Sequence, residues 1–122
     1  MPLSDLPGHC IFHICSRAAA AAAMASGSYR APSQDTEGFI HLSRAHQVAT
    51  VLRAFYRGQS DLVLLVVEPD RLHAPLRYEA PSPPLAANGI GGPDTAQLFP
   101  HLYGALNMDA VVEVVALPGV QD

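Results

Sequence analysis

The run E-G-F-I-H-L-S at Glu37–Ser43 sets both the local structure and the chemistry expected of this chain. It places an imidazole and a hydroxyl two residues apart among apolar neighbours, which reads as a β-strand. Alternation would put Phe39, His41 and Ser43 on one face and Ile40 and Leu42 on the other. A second phrase, F-P-H-L-Y-G at Phe99–Gly104, offers His101 and Tyr103 at the same spacing, with Pro100 and Gly104 framing an expected turn, and His13 sits in I-F-H-I-C. Buried imidazoles and hydroxyls need partners. A common pocket is therefore expected from His13, His41, Ser43 and Tyr103, with His101 and Phe39 at its rim or supporting it.

Outward from that run, a strand is expected near Cys10–Cys15, then Ser16 as an N-cap and an alanine-rich helix over about 16–26, ending near Gly27. Tyr29 to Asp35 should be a loop around Pro32. Ser43 looks like a second N-cap, followed by a helix over 44–57 whose apolar stripe is Ala45, Val48, Leu52 and Phe55. L-V-L-L-V-V at Leu62–Val67 is apolar on both faces and predicts a central strand. A shorter strand follows around Leu76–Glu79. The segment from Pro81 to Gln97 holds four prolines and three glycines and predicts a long loop beside the pocket. The last strand is expected over Ala110–Leu117, with Glu113 on the face of Val111 and Val115. Alternating short apolar runs and helical segments predict one small α+β domain over 1–122, with a curved or split mixed sheet and two main helices.

The chain has 122 residues, with 7 arginines, no lysine and 11 acidic residues, giving a formal charge of −4. No basic stripe exists to release counterions, so broad nucleic-acid binding is not expected. No apolar run is long enough to span a bilayer, and Leu3–Ile14 lacks the basic start and continuous hydrophobic centre of a signal peptide. A cytoplasmic protein is expected. Cys10 and Cys15 are five residues apart and face opposite ways in one strand, which suits neither a mutual disulfide nor a recognised metal spacing. His9, His46 and His73 read as surface positions. Gln47 fits either ordinary capping or support of the site.

The ordered phrases I-F-H-I, E-G-F-I-H-L-S with a following H-Q-V, L-V-L-L-V-V, R-Y-E, F-P-H-L-Y-G-A-L-N and D-A-V-V resemble the bacterial family called domain of unknown function 952, over about residues 10–117. Ala105 and the run Ala18–Ala23 depart from the pattern common in that family. The family is similar in fold to the ADP-ribosyltransferase superfamily, nearest its RNA 2'-phosphotransferase branch. The resemblance implies an ADP-ribosyltransferase-like fold and an NAD-utilising transferase of the ADP-ribosyl or RNA 2'-phosphate transfer type. It also implies that His13 contacts the NAD ribose, and it matches His41 to the second histidine of an H-I-H-L phrase. Ile14 and Phe39 replace the glycine and the earlier histidine of those phrases. On that reading His41 and Glu79 are catalytic, His13, His41, Ser43 and Tyr103 bind NAD, and no metal is expected. Arg30, Arg77 and Glu113 remain available for unassigned roles.

Other classes stay open. A non-catalytic nucleotide or metabolite-binding module needs only the pocket. Metal-assisted hydrolysis could draw on His13, His41 and His101 with Glu79 or Asp94, yet no H-E-x-x-H or other diagnostic spacing is present. Neither Cys15 nor Ser43 has the surroundings of a nucleophile. The partner is expected to be a nucleotide or small-molecule ligand, with a 2'-phosphorylated RNA end or a protein side chain as acceptor. The oligomeric state is not encoded in any motif.

Overall fold

Ser16 both ends the first strand, β1 (Ile11–Ser16), and starts the first helix, α1 (Arg17–Ser26). Its hydroxyl accepts the Ala19 amide at 3.0 Å, filling one of the donors a helix start leaves bare. Gly27 at φ +88° ends the helix, a backbone state that side chains with a Cβ resist. The computed structural model describes residues 3–80 and 98–118. The expected loop at 81–97, including Asp94, lies outside the described residues.

The chain continues through β2 (Ser28–Tyr29), the single-turn α2 (Ser33–Thr36), β3 (Ile40–His41), β4 (Ser43–Arg44), α3 (Val48–Phe55), β5 (Leu62–Val67) and β6 (Leu76–Glu79). After the gap come β7 (Phe99–Leu102), β8 (Leu106–Asn107) and β9 (Val111–Ala116). These form a four-stranded sheet in the order β4-β1-β5-β9, a three-stranded sheet β3-β7-β6 and the pair β2-β8. The result is a small α+β domain with three sheets. Every strand pair among the described residues is antiparallel, which corrects the expected mixed sheet.

β5 is central as the sequence demands, with all six residues buried between β1 and β9. Its alternation divides the core. Val63, Leu65 and Val67 join Ile11, Cys15 and the α1 residues Ala20 and Ala23 on one face. Leu62, Leu64 and Val66 join Phe12, Ile14 and the α3 residues Val48 and Leu52 on the other. Each fully buried leucine contributes roughly 1.5–3 kcal/mol relative to exposure. The alanines of α1 supply a thin face that packs close to the sheet, while α3 offers larger side chains. No described helix is long and apolar enough to cross a membrane.

Three local expectations are corrected. Glu37–Ser43 is not one strand: at Leu42 the chain leaves the three-stranded sheet and enters the four-stranded one, so β3 and β4 belong to different sheets. The Leu42 amide donates to the Pro100 carbonyl at 3.0 Å across that crossing. Ser43 is a strand residue rather than an N-cap. A short 3-10 turn at Ala45–Gln47 precedes α3, and the Gln47 side chain accepts the Arg44 amide at 2.8 Å while donating to the Leu98 carbonyl at 2.9 Å. Capping thus accounts for Gln47. Finally, the phrase at 99–102 is a buried strand, and its turn begins only beyond Leu102.

Candidate functional site

β1 pairs with β5 along six residues but with β4 only at Ile11 and Phe12. Beyond Phe12 its second edge opens, and a cleft of about 560 Å³ lies there. Because the cleft lies at a strand edge, it is lined from both faces of β1, by His13 and Cys15 and by Ile14 and Ser16. Ala19 of α1 and Val51 and Phe55 of α3 add apolar wall from the two helices.

His13 bridges the opening. Its Nδ1 lies 2.7 Å from the His41 carbonyl oxygen and its Nε2 lies 2.9 Å from the Tyr29 hydroxyl. A carbonyl can only accept, so Nδ1 carries the proton; the neutral ring then accepts the Tyr29 hydroxyl at Nε2. Burial pushes the His13 pKa down to about 4, with the nearby His41 ring adding to the effect and the backbone hydrogen bond opposing it. At neutral pH this imidazole is an uncharged strut. Burial likewise raises the Tyr29 hydroxyl pKa.

His41, Ser43 and His101 also line the cleft. His41 pairs its Nε2 with Glu37 at 2.7 Å, an i, i+4 contact across the turn between α2 and β3. His101 is almost fully buried and stacks on Phe39, with ring centres 4.2 Å apart and planes 19° apart. Its Nδ1 lies 2.9 Å from Glu79, which also accepts the Tyr103 hydroxyl. Those two hydrogen bonds, Tyr103's first, hold the Glu79 carboxyl below its ordinary value. Burial pushes His101 down as well, outweighing the attraction of Glu79, so the neutral ring donates from Nδ1. Its Nε2 makes no hydrogen bond among the described residues. The Arg77 guanidinium carbon lies 5.2 Å from the Tyr103 ring centre.

Of the residues expected to form a site, four therefore meet in one cleft: His13, His41, Ser43 and His101. Phe39, Glu79 and Tyr103 stand behind the wall and fix the His101 ring. Arg30 instead pairs with Asp35 at 3.6 Å, and Glu113 is exposed on β9, the last strand of the four-stranded sheet. The Cys15 thiol is pushed up to about 11 by burial, which leaves little thiolate at neutral pH. Nothing in the sequence around Tyr29 marks it as the partner of His13. Glu37 carries a signal in the sequence, since it stands four residues before His41 in the same phrase.

The expectation that no metal is involved is corrected. His9, Cys10 and Glu68 gather one ligand-type atom each, all within 4.8 Å of one another. His9 and Cys10 precede β1 and Glu68 follows β5, so only antiparallel pairing unites them and no sequence spacing announces the group.

Two crystal structures and a solution structure of protein CC0527 from Caulobacter crescentus are similar to this chain. One crystal structure is 34% identical with a TM-score of 0.73, covering 89% of this chain and 86% of that one. The crystal structure of a double mutant gives 33%, 0.72 and the same coverage. The solution structure is 34% identical with a TM-score of 0.69, covering 89% and 84%. No curated protein matches. The family model described as "Protein of unknown function (DUF952)" matches residues 14–114, which take in the cleft residues His41, Ser43 and His101 and the Glu79 behind them, and the chain belongs to that family.

Proposed function

We propose that the cleft takes the nicotinamide–ribose end of NAD as a consumed substrate, in a transfer reaction of the ADP-ribosyl or RNA 2'-phosphate type. The observation that supports this reading is the cleft at the open edge of β1, where His13, His41, Ser43 and His101 meet. Its volume of about 560 Å³ falls in the range of small-molecule sites. Imidazole and hydroxyl groups suit ribose hydroxyls, and the Phe55, Tyr56 and Phe99 side chains suit a flat heterocycle. None of the described lining residues is arginine, so the cationic nicotinamide end of the dinucleotide meets no guanidinium in the interior and its diphosphate belongs outside.

In this reading His41 and His101 orient the ribose as positive charge grows at its anomeric carbon. The neutral His101 ring serves that role without opposing the charge. Glu79 acts through His101, fixing its Nδ1–H tautomer and the direction of Nε2. Acceptors of suitable chemistry are a phosphorylated RNA end, a small molecule or a protein side chain.

His41→Ala provides the test. The His41 carbonyl, not its ring, holds His13, so the fold should survive the change. Nicotinamide release from NAD, followed by mass spectrometry, should fall about 10²-fold, the scale of losing one oriented donor. Equal release by both proteins rejects the transfer reaction.

One observation favours a second reading, a nucleotide-binding module without turnover. The described cleft wall carries no carboxylate, since Glu79 stands behind His101. Chemical-shift titration with NAD, ADP-ribose and 2'-phosphorylated RNA separates the two. Shifts at His13 and His41 without nicotinamide release select the module; shifts confined to another surface sink both.

A further inference from the structure

We propose that His9, Cys10 and Glu68 form a binding site for one zinc ion, on the face of the sheet opposite the His13 strut. Cys10 and Phe12 share one face of the β1 strand while His13 takes the other. Ile11 pairs with Val67, so Cys10 and Glu68 occupy the next rung of the antiparallel ladder. The two backbones are tied down: the Cys10 amide donates to the Pro7 carbonyl at 3.2 Å and the Glu68 amide to the Ala110 carbonyl at 2.8 Å. Side chains therefore need little rearrangement to converge.

The distances suit a tetrahedral ion. His9 Nε2 lies 3.4 Å from Glu68 Oε2, against an edge of about 3.3 Å for nitrogen and oxygen ligands around zinc. Cys10 Sγ lies 4.0 Å from the same oxygen, and the corresponding edge with sulfur is about 3.5 Å. The sulfur–oxygen edge needs a contraction of about half an ångström, and all three atoms already lie within 4.8 Å of one another. Among the described residues Glu68 makes no ion pair with an arginine; its carboxylate faces only His9 and Cys10. One thiolate, one carboxylate and one neutral imidazole balance a divalent charge. The sulfur ligand selects zinc over calcium or magnesium, which take oxygen.

Binding breaks the Cys10 S–H bond, forms a metal–sulfur bond and releases one proton to solvent, with no change of oxidation state. Three protein ligands leave a fourth position for water, and His9 is exposed enough to admit the ion. The ion would pin the segment before β1 to the end of β5.

The test uses the full chain and cobalt(II) as a spectroscopic substitute for zinc. One equivalent should give a thiolate-to-cobalt charge-transfer band with tetrahedral visible bands, and zinc should displace it. Cys10→Ser should abolish the band. His9→Ala changes an exposed residue that carries no packing load, and should weaken cobalt binding by at least about tenfold. The thiolate band also separates this site from ions held by the cleft imidazoles. No thiolate band at stoichiometric cobalt, or equal affinity in the parent and His9→Ala, overturns the proposal.

Discussion

Acid titration of the parent chain and of His13→Asn should expose the contribution of the buried strut. Asn keeps a donor near the position of Nδ1 but has no titratable ring. The unfolded imidazole protonates near 6.5 and the folded one near 4, because burial penalises the charged form. Since the folded value lies below the unfolded one, acid protonates the unfolded chain first. The stabilisation is complete above about pH 6.5 and disappears as pH falls toward 4. The full interval corresponds to about 3 kcal/mol, and between pH 7 and pH 5 the loss comes to about 2 kcal/mol. This window keeps ordinary carboxylates ionised, and His101 titrates alike in both proteins. Urea unfolding followed by circular dichroism at pH 7, 6 and 5 gives the two slopes. His13→Asn also loses packing and the Tyr29 contact, so its stability at pH 7 is lower; the dependence on pH is the readout. Parallel curves for the two proteins would refute a neutral, buried His13.

Three further outcomes follow from neighbouring contacts. Tyr29→Phe leaves the Nε2 acceptor of His13 unpaired and should cost about 1–3 kcal/mol of unfolding free energy in urea, with native secondary structure retained; no loss would mean that the hydroxyl does not serve His13. Glu79→Gln removes the carboxylate that raises the proton affinity of His101, so the His101 ring signal in NMR should titrate at lower pH than in the parent, and an upward shift would contradict the pairing. Gly104 sits at φ +154°, and a Cβ there would approach the Ala74 Cβ to 2.7 Å. Gly104→Ala should therefore lower stability by about 1–3 kcal/mol by thermal or urea unfolding, and a neutral effect would mean that the turn relaxes freely.

Local physics carried much of the fold into the sequence. The all-apolar run Leu62–Val67 can only be satisfied with both faces covered, and Ser16 and Gly27 mark helix ends through capping chemistry that depends on near neighbours. His13, His41, Ser43 and His101 stand out for a similar reason, as polar groups in apolar phrases that must find partners. Where those partners come from is a matter of pairing between distant segments. The switch of sheets at Leu42 breaks the expected alternation and brings His41 and Ser43 to one cleft by a crossing, not by a shared strand face. Tyr29 reaches His13 and Glu79 reaches His101 across 16 and 22 residues. His9 and Cys10 meet Glu68 only because β1 and β5 run antiparallel in one register. Period and propensity are set within a few residues, whereas these contacts depend on how the strands close on one another, and that closure is decided by the packing of the whole chain.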